Sequence, residues 1–349
     1  MKSNVLGRLR NTSVPVSQAL LPVYEAVANS VHAIEDGVGV VNGQIRVELM
    51  RSPGIFDDRA PSAQNIERIV VKDNGVGFTP ANWQSFNEAD SQHKEERGGR
   101  GLGRFVWLKV FIKAEVESYF MEAGNTRRRS FTFRRSNEGI EGGEASPATG
   151  QPGTTVELIG LQDEYRRAMP TTADGVAGRL VEHFLPQLVL GKMPRLTVAD
   201  PAVGVEVELH QAYGDLVNRT RTDTFDVAGS RFTLTHFVLT PGRKADHAIA
   251  LTANDRRVED WRNLHHDIPD LKGSLSKAIE YAGGDGGLDA HLLPYVGKDH
   301  VYYAGYLSGP FLNSHVDPST RSSVRFPHGG AAAEDGRVVT EEALRAAAL

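Results

Sequence analysis

The chain of 349 residues carries 39 lysines and arginines against 44 aspartates and glutamates, a net charge of −5, with 40% hydrophobic and 24% charged residues. That ordinary globular balance excludes wholesale disorder and attachment to nucleic acid by net charge alone. The lack of cysteine rules out disulfide scaffolds, thiol catalysis, iron–sulfur clusters and cysteine-ligated zinc. No apolar run reaches the ~18–20 residues of a membrane span, and the basic start MKSNVLGRLR leads into no signal-peptide core. A cytoplasmic protein of two domains, with no membrane partner, is expected.

In chain order, a helix is expected to open at Leu21 and Pro22, where proline suits the first turn. Val23, Val27, Val31 and Ile34 repeat at helical spacing towards a core, and Gly37 follows as the stop. Ile45, Val47 and Leu49 alternate with polar residues as in a half-buried strand, and Ile69, Val70 and Val71 form a second, ending at Asp73-Asn74-Gly75. A short helix is predicted over 81–90, around Trp83 and Phe86. The polar, glycine-rich segment 91–103 has the length of a lid. Helix returns at Arg104 to Val110, strands follow near 112–120, 128–135 and 154–160, and 136–153 reads as a surface loop from its glycine and proline content. A second amphipathic helix is predicted over 174–190.

Beyond about residue 210 the texture changes to strands at 231–239, 247–253 and 301–307, with a helix near 274–282. The expected division is therefore 1–210, then 211–340. Residues 341–349 (EEALRAAAL) start a helix and stop inside its apolar pattern, as a fragment of a longer chain would.

Four segments bear on chemistry. Glu25 and Asn29 lie four apart on the first helix, on a face other than the valine stripe. A carboxylate beside an amide oxygen can orient and deprotonate water while the amide joins a magnesium shell; a solvated pair on a surface helix would look the same. Asp73-Asn74-Gly75-Val76-Gly77 puts a carboxylate where a strand leaves the core, able to accept from the amino group of a flat ligand, although Asp-Asn-Gly also makes ordinary turns. Gly98-Gly99-Arg100-Gly101-Leu102-Gly103 runs straight into a helix, so its backbone N–H groups can cradle phosphate; it matches neither a Walker A loop nor a dinucleotide fingerprint. Gly153-Thr154-Thr155 begins a strand with hydroxyls that could complete a water-mediated contact to the group read by Asp73. Separately, Arg127-Arg128-Arg129 and Arg134-Arg135 bracket Phe131 and Phe133, as a basic ribbon for nucleic acid or a solvated hairpin would.

The order and spacing of these four segments resemble the GHKL ATPase superfamily of gyrase, heat-shock chaperones, histidine kinases and MutL. The resemblance implies an α+β fold: a GHKL (Bergerat) α/β sandwich followed by a smaller α/β transducer domain. It implies Glu25 as general base, Asn29 as the magnesium ligand and Asp73 on the adenine amino group. Gly75 and Gly77 would form the turn beside it, Gly99, Arg100, Gly101, Leu102 and Gly103 would hold the phosphates, and Thr154 would back Asp73. His315 to Phe326 (HVDPSTRSSVRF) looks like the MutL-type transducer loop that reaches the γ-phosphate, with Arg321 in place of a lysine. Ala250 to Val258 resembles that family's "NGR" turn, with Asp255 replacing the glycine. The segment RGGRGLGRFVWLKVF is more similar to bacterial MORC-like ATP-binding proteins, some of which accompany phage-defence genes.

The function so implied is magnesium-dependent ATP binding and slow hydrolysis, driving lid closure and nucleotide-dependent homodimerisation, with DNA or an effector protein as client. The alternative is a nucleic-acid-binding module with a regulatory nucleotide site. A protein histidine kinase would need a phospho-acceptor hairpin upstream of Glu25, for which little chain remains.

Overall fold

The computed structural model describes residues 5–51, 60, 64–87, 103–239, 247–253, 256–258, 262–263, 302–316, 324–326 and 338–348. The architecture is mixed α+β, as the sequence predicts, and the chain separates into two compact units, Met1–Glu182 with Leu188–Ala212, and His183–Gln187 with Tyr213–Leu349.

The first unit is built on eight strands: β1 (Gln44–Arg51), β2 (Ile66–Asp73), β3 (Phe111–Glu122), β4 (Asn125–Arg134), β5 (Ile140–Pro147), β6 (Gly153–Leu161), β7 (Arg195–Asp200) and β8 (Val205–Glu208). Their order in the sheet is β5-β4-β3-β6-β2-β1-β7-β8. The β1–β7 pair is parallel and the others are antiparallel.

Helix α1 (Val5–Asn11) packs on α4 (Gly103–Val110), which in turn packs on α2 (Leu21–Glu35). Helix α2 forms where expected, and Val23, Val27, Val31 and Ile34 are all buried. It ends where the Gly37 and Gly39 N–H groups both donate to the Ile34 carbonyl. Strand β1 buries Ile45, Val47 and Leu49, while its polar face joins Glu48 to Arg46 at 2.9 Å and to Lys72 at 2.8 Å.

Three further helices complete this part of the chain: α3 (Pro80–Asn87), α5 (Asp163–Arg166) and α6 (Ala173–Val189). Helix α6 kinks at Phe184 (φ −99°, ψ 15°), two residues before Pro186, which supplies no N–H and crowds the preceding turn.

One sequence expectation is corrected. The 136–153 segment contains β5, paired antiparallel to β4 with a register shift between Arg129 and Phe131. Gly142 and Gly143, both at positive φ, give the composition of a loop. Here they serve an irregular edge strand instead.

Helix α7 (Leu209–Leu216) leads into β9 (Val217–Val227). The sheet of the second unit runs β12 (Arg256–Arg257), β11 (Ala248–Ala253), β14 (Tyr302–Ser308), β10 (Ser230–Leu239), β9, with β13 (Arg262–Asn263) also on β11. Its core gathers Phe232, Leu234, Leu251, Leu307 and Leu312 with Val339 and Leu344, the last from the terminal helix Glu341–Ala348. The sequence expectations for 274–282 and Asp255 lie outside the described residues.

Candidate nucleotide site

Register explains how the site is assembled. Across the helix-covered face of the first sheet, Leu49, Ile69, Leu158 and Ala114 stand side by side, and so do Val47, Val71, Val156 and Val116. The next row changes character: Ile45 is followed by Asp73, Thr154 and Ser118, then Arg129 on β4. An apolar face thus ends in a polar row, to which β2, β6 and the β3–β4 hairpin each contribute.

Asp73 is the centre of that row. Its Oδ2 accepts from the Ser30 hydroxyl of α2 at 2.8 Å and its Oδ1 from the Gly75 N–H at 2.9 Å. Some of the residue remains accessible, yet its carboxyl sits deep between helix and sheet. Burial pushes its pKa from an ordinary 3.8 up to about 6, against the opposing pull of the Gly75 N–H, the Ser30 hydroxyl and the Thr154 N–H. No cation contributes to that balance. A carboxylate has roughly four lone-pair sites, so three neutral donors leave an acceptor for one more. At neutral pH the group is mainly ionised and fit to take a donor such as an exocyclic amine.

The loop after Asp73 is held by contacts that explain its glycines. The Val76 N–H donates to the Ala33 carbonyl of α2 at 3.0 Å, bringing Gly75 so close that a Cβ there would lie 2.7 Å from the Ala33 methyl. Gly77 has φ +72°, and a Cβ would strike the Tyr119 carbonyl. Only glycine fits both constraints. Asn74 locks the other side, its Oδ1 accepting from the Gln44 N–H at 2.7 Å and its Nδ2 donating to the Asn42 carbonyl at 3.0 Å.

Thr154 is buried, and its Oγ1 lies 3.1 Å from the Ser118 Oγ. Ser118, fully buried, donates to the Gly153 carbonyl at 3.0 Å and accepts from the Phe78 N–H at 2.8 Å. Ser30 and Ser118 carry no motif signal. Ser30 was legible only as the position after Asn29, one helical turn before the Ile34 of the buried stripe. Ser118 becomes visible only once β3 is aligned with β6.

Glu25 is half-buried on α2 and Asn29 is exposed one turn later. The helix thus brings them into the same element as Ser30, which touches Asp73. Gly103 is the buried first residue of α4. Gly99, Arg100, Gly101, Leu102 and Arg321 lie outside the described residues, as does most of the 91–103 segment. On either side of the Arg321 segment, Val316 and Val324 pair in an isolated bridge, and the Arg325 N–H donates to the His315 carbonyl at 2.8 Å.

A magnesium ion that arrives on a phosphate would ask little of the protein. Such an ion prefers oxygen, keeps several waters and needs one or two protein ligands; the exposed Asn29 amide can supply one. Among the described residues no three His, Asp or Glu gather to hold a metal by themselves.

The arginines of β4 find partners within the molecule. Arg128 pairs with Glu117 and Arg134 with Glu141; Arg127 lies 3.5 Å from Glu122. Arg129 is buried, hydrogen-bonded to the Gly143 carbonyl, with its guanidinium 4.6 Å above the Trp83 ring. Arg135 donates to the carbonyls of Leu108 and Lys109. Cross-strand pairing and packing thus account for the basic run. Among the described residues no helix is long and apolar enough to cross a membrane.

No family model matches the chain, and no curated protein matches it. Among solved structures, the chain is similar to the 43K ATPase domain of Thermus thermophilus gyrase B, described in complex with an aminocoumarin. The identity is 17% and the TM-score 0.40, over 83% of this chain and 76% of that one. A likeness so distant has no bearing on the roles of individual residues.

Proposed function

We propose that the first unit binds ATP with magnesium and hydrolyses it slowly, using the nucleotide to close a lid and join two copies of the chain. The observation that carries this reading is the Asp73 carboxylate: buried, held by three neutral donors, and left with one acceptor site at the end of an apolar sheet face. That is the chemistry needed to recognise an amino group on a flat base, with Thr154 and Ser118 as the polar backing.

In this reading residues 1–210 are the nucleotide-binding domain, 91–103 the lid, and 211–340 a transducer-like domain, with Arg321 assigned to the terminal phosphate by the resemblance alone. Gly75 and Gly77 form the turn that presents Asp73 to the base. Gly99, Arg100, Gly101, Leu102 and Gly103 offer backbone N–H groups to the phosphates. Asn29 would hold magnesium, which supplies charge neutralisation at the phosphates. Glu25 takes the proton of the attacking water. Closure rather than chemistry would limit turnover, and ATP would favour the closed dimer only through its higher affinity for that state. The client of the clamp would be DNA or an effector protein, in keeping with the resemblance to MORC-like proteins of phage-defence systems.

Calorimetric titration with ATP and a phosphate-release assay test the reading together. Glu25→Ala should bind ATP with near wild-type affinity and lose turnover by about 10²–10⁴-fold. Wild-type turnover in that variant would remove Glu25 as the base. Light scattering with magnesium, then with magnesium and a non-hydrolysable ATP analogue, should show monomers becoming dimers; an unchanged mass with nucleotide bound would refute the clamp.

A further inference from the structure

Arg135 ends the basic run, and its side chain is fixed against the C-terminal end of α4. Its Nε donates to the Leu108 carbonyl at 2.6 Å and its Nη2 to the Lys109 carbonyl at 3.3 Å. Beside it lies a pocket of about 220 Å³ lined by Leu6, Leu9 and Arg10 of α1, Lys109 of α4, and Arg135. Leu9 is buried and Leu6 half-buried, and the wall is almost wholly apolar, so Arg10, Lys109 and Arg135 line it mainly with their aliphatic stems. No carboxylate belongs to the lining. Among the described residues, the Arg10 and Lys109 side chains make no hydrogen bond or ion pair. The pattern differs from that of β4, where Arg127, Arg128 and Arg134 each have a glutamate.

We propose that this pocket between α1 and α4 binds a small amphiphilic anion, a phosphate or carboxylate head bearing a short alkyl or acyl chain. Three neighbouring positive charges raise one another's free energy, and part of the Arg135 charge is already engaged by the negative end of the helix. An anion placed between Arg10 and Lys109 removes the remaining repulsion. An inorganic anion alone would gain little in so open a place, where solvent screens it. A chain laid over Leu6 and Leu9 and the aliphatic stems of the cations adds apolar burial. The volume equals that of about seven water molecules, room for a short chain. The pocket shares no residue with the nucleotide site, so it stands whatever the fate of that reading.

The test is calorimetric titration of the full chain with octyl phosphate, with octanol and inorganic phosphate as controls. Octyl phosphate should bind saturably at one site, weaken as salt is raised, and exceed both controls by at least about tenfold. Arg10→Gln/Lys109→Gln should lose at least about tenfold of that affinity while its thermal unfolding and ATP binding stay unchanged. Lys109→Gln alone provides a second reading should the double variant fold poorly. Absence of saturable binding would overturn the proposal. So would equal binding of either control, or undiminished affinity in a folded variant. Co-sedimentation with anionic vesicles without octyl phosphate binding would overturn it too, in favour of a lipid-surface contact.

Discussion

Among its described residues, the first unit holds two carboxylates in low-dielectric surroundings, Asp200 and Asp73, and they have been treated in opposite ways. Asp200, at the end of β7, is buried against Arg51 at the end of β1; their side chains are 3% and 1% exposed and the Nη2–Oδ2 distance is 2.7 Å. Arg51 also donates to the Gln64 carbonyl at 2.6 Å and to the Thr171 carbonyl, so it ties β1 to two connections as well as to β7. Asp73 has no cation, only a hydroxyl and backbone N–H groups, and its pKa rises to about 6. A paired charge of the first kind cements a fold. One of the second kind has its desolvation only partly offset, and a ligand that brings a donor completes the account.

Breaking the pair should produce the largest effect. Arg51→Met strands the Asp200 carboxylate in the interior and should cost about 3–5 kcal/mol of folding stability by urea unfolding. Adding Asp200→Leu should recover much of the loss. A cost below about 1 kcal/mol would mean that the pair is dispensable.

The pH dependence of Asp73 comes next. Because the folded state holds the Asp73 proton more tightly than the unfolded chain does, it binds more protons between pH 3.8 and 6. The associated stability is fully present below 3.8 and is lost as pH rises through 6, by about 3 kcal/mol in all. The difference in stability between wild type and Asp73→Asn isolates this group from the other carboxylates. A difference that stays flat with pH would show that Asp73 is not desolvated.

At fixed neutral pH, Asp73→Asn should leave stability nearly unchanged or slightly improved. It should lower ATP affinity by about 1.5–3 kcal/mol, or 10–150-fold. Calorimetry distinguishes this from a structural role, and undiminished affinity would refute the adenine contact. Ser30→Ala is the mildest change, with about 0.5–1.5 kcal/mol lost. Since the Ser30 hydroxyl favours the ionised form, its removal should also move the acid limit of ATP binding to higher pH. Loss of affinity without that movement would leave Ser30 a packing residue only.

Elements governed by local periodicity were legible in advance. Helix α2 could be read from its valine stripe and its proline, and β1 and β2 from alternation and from the turn at Asp73. Strand β5 was not, because its glycines and terminal proline have the composition of a loop and it is paired only at the sheet edge. The motif positions Glu25, Asn29, Asp73 and Thr154 could be named beforehand, whereas their support could not. Arg129 read as part of a basic ribbon, yet its surroundings are a tryptophan face and a strand carbonyl.

By itself, then, the sequence determined the periodic elements, α2, β1 and β2 among them, and where a carboxylate would leave the core. Those depend on 3.6- and 2-residue periods and on turn chemistry, all set within a few residues. Only the tertiary structure decided that Asp73 would meet Ser30, that Thr154 and Ser118 would continue its row, and that most of the β4 arginines would face glutamates and carbonyls. Strand register joins residues many tens of positions apart, and a one-residue slip would turn every one of them to the other face.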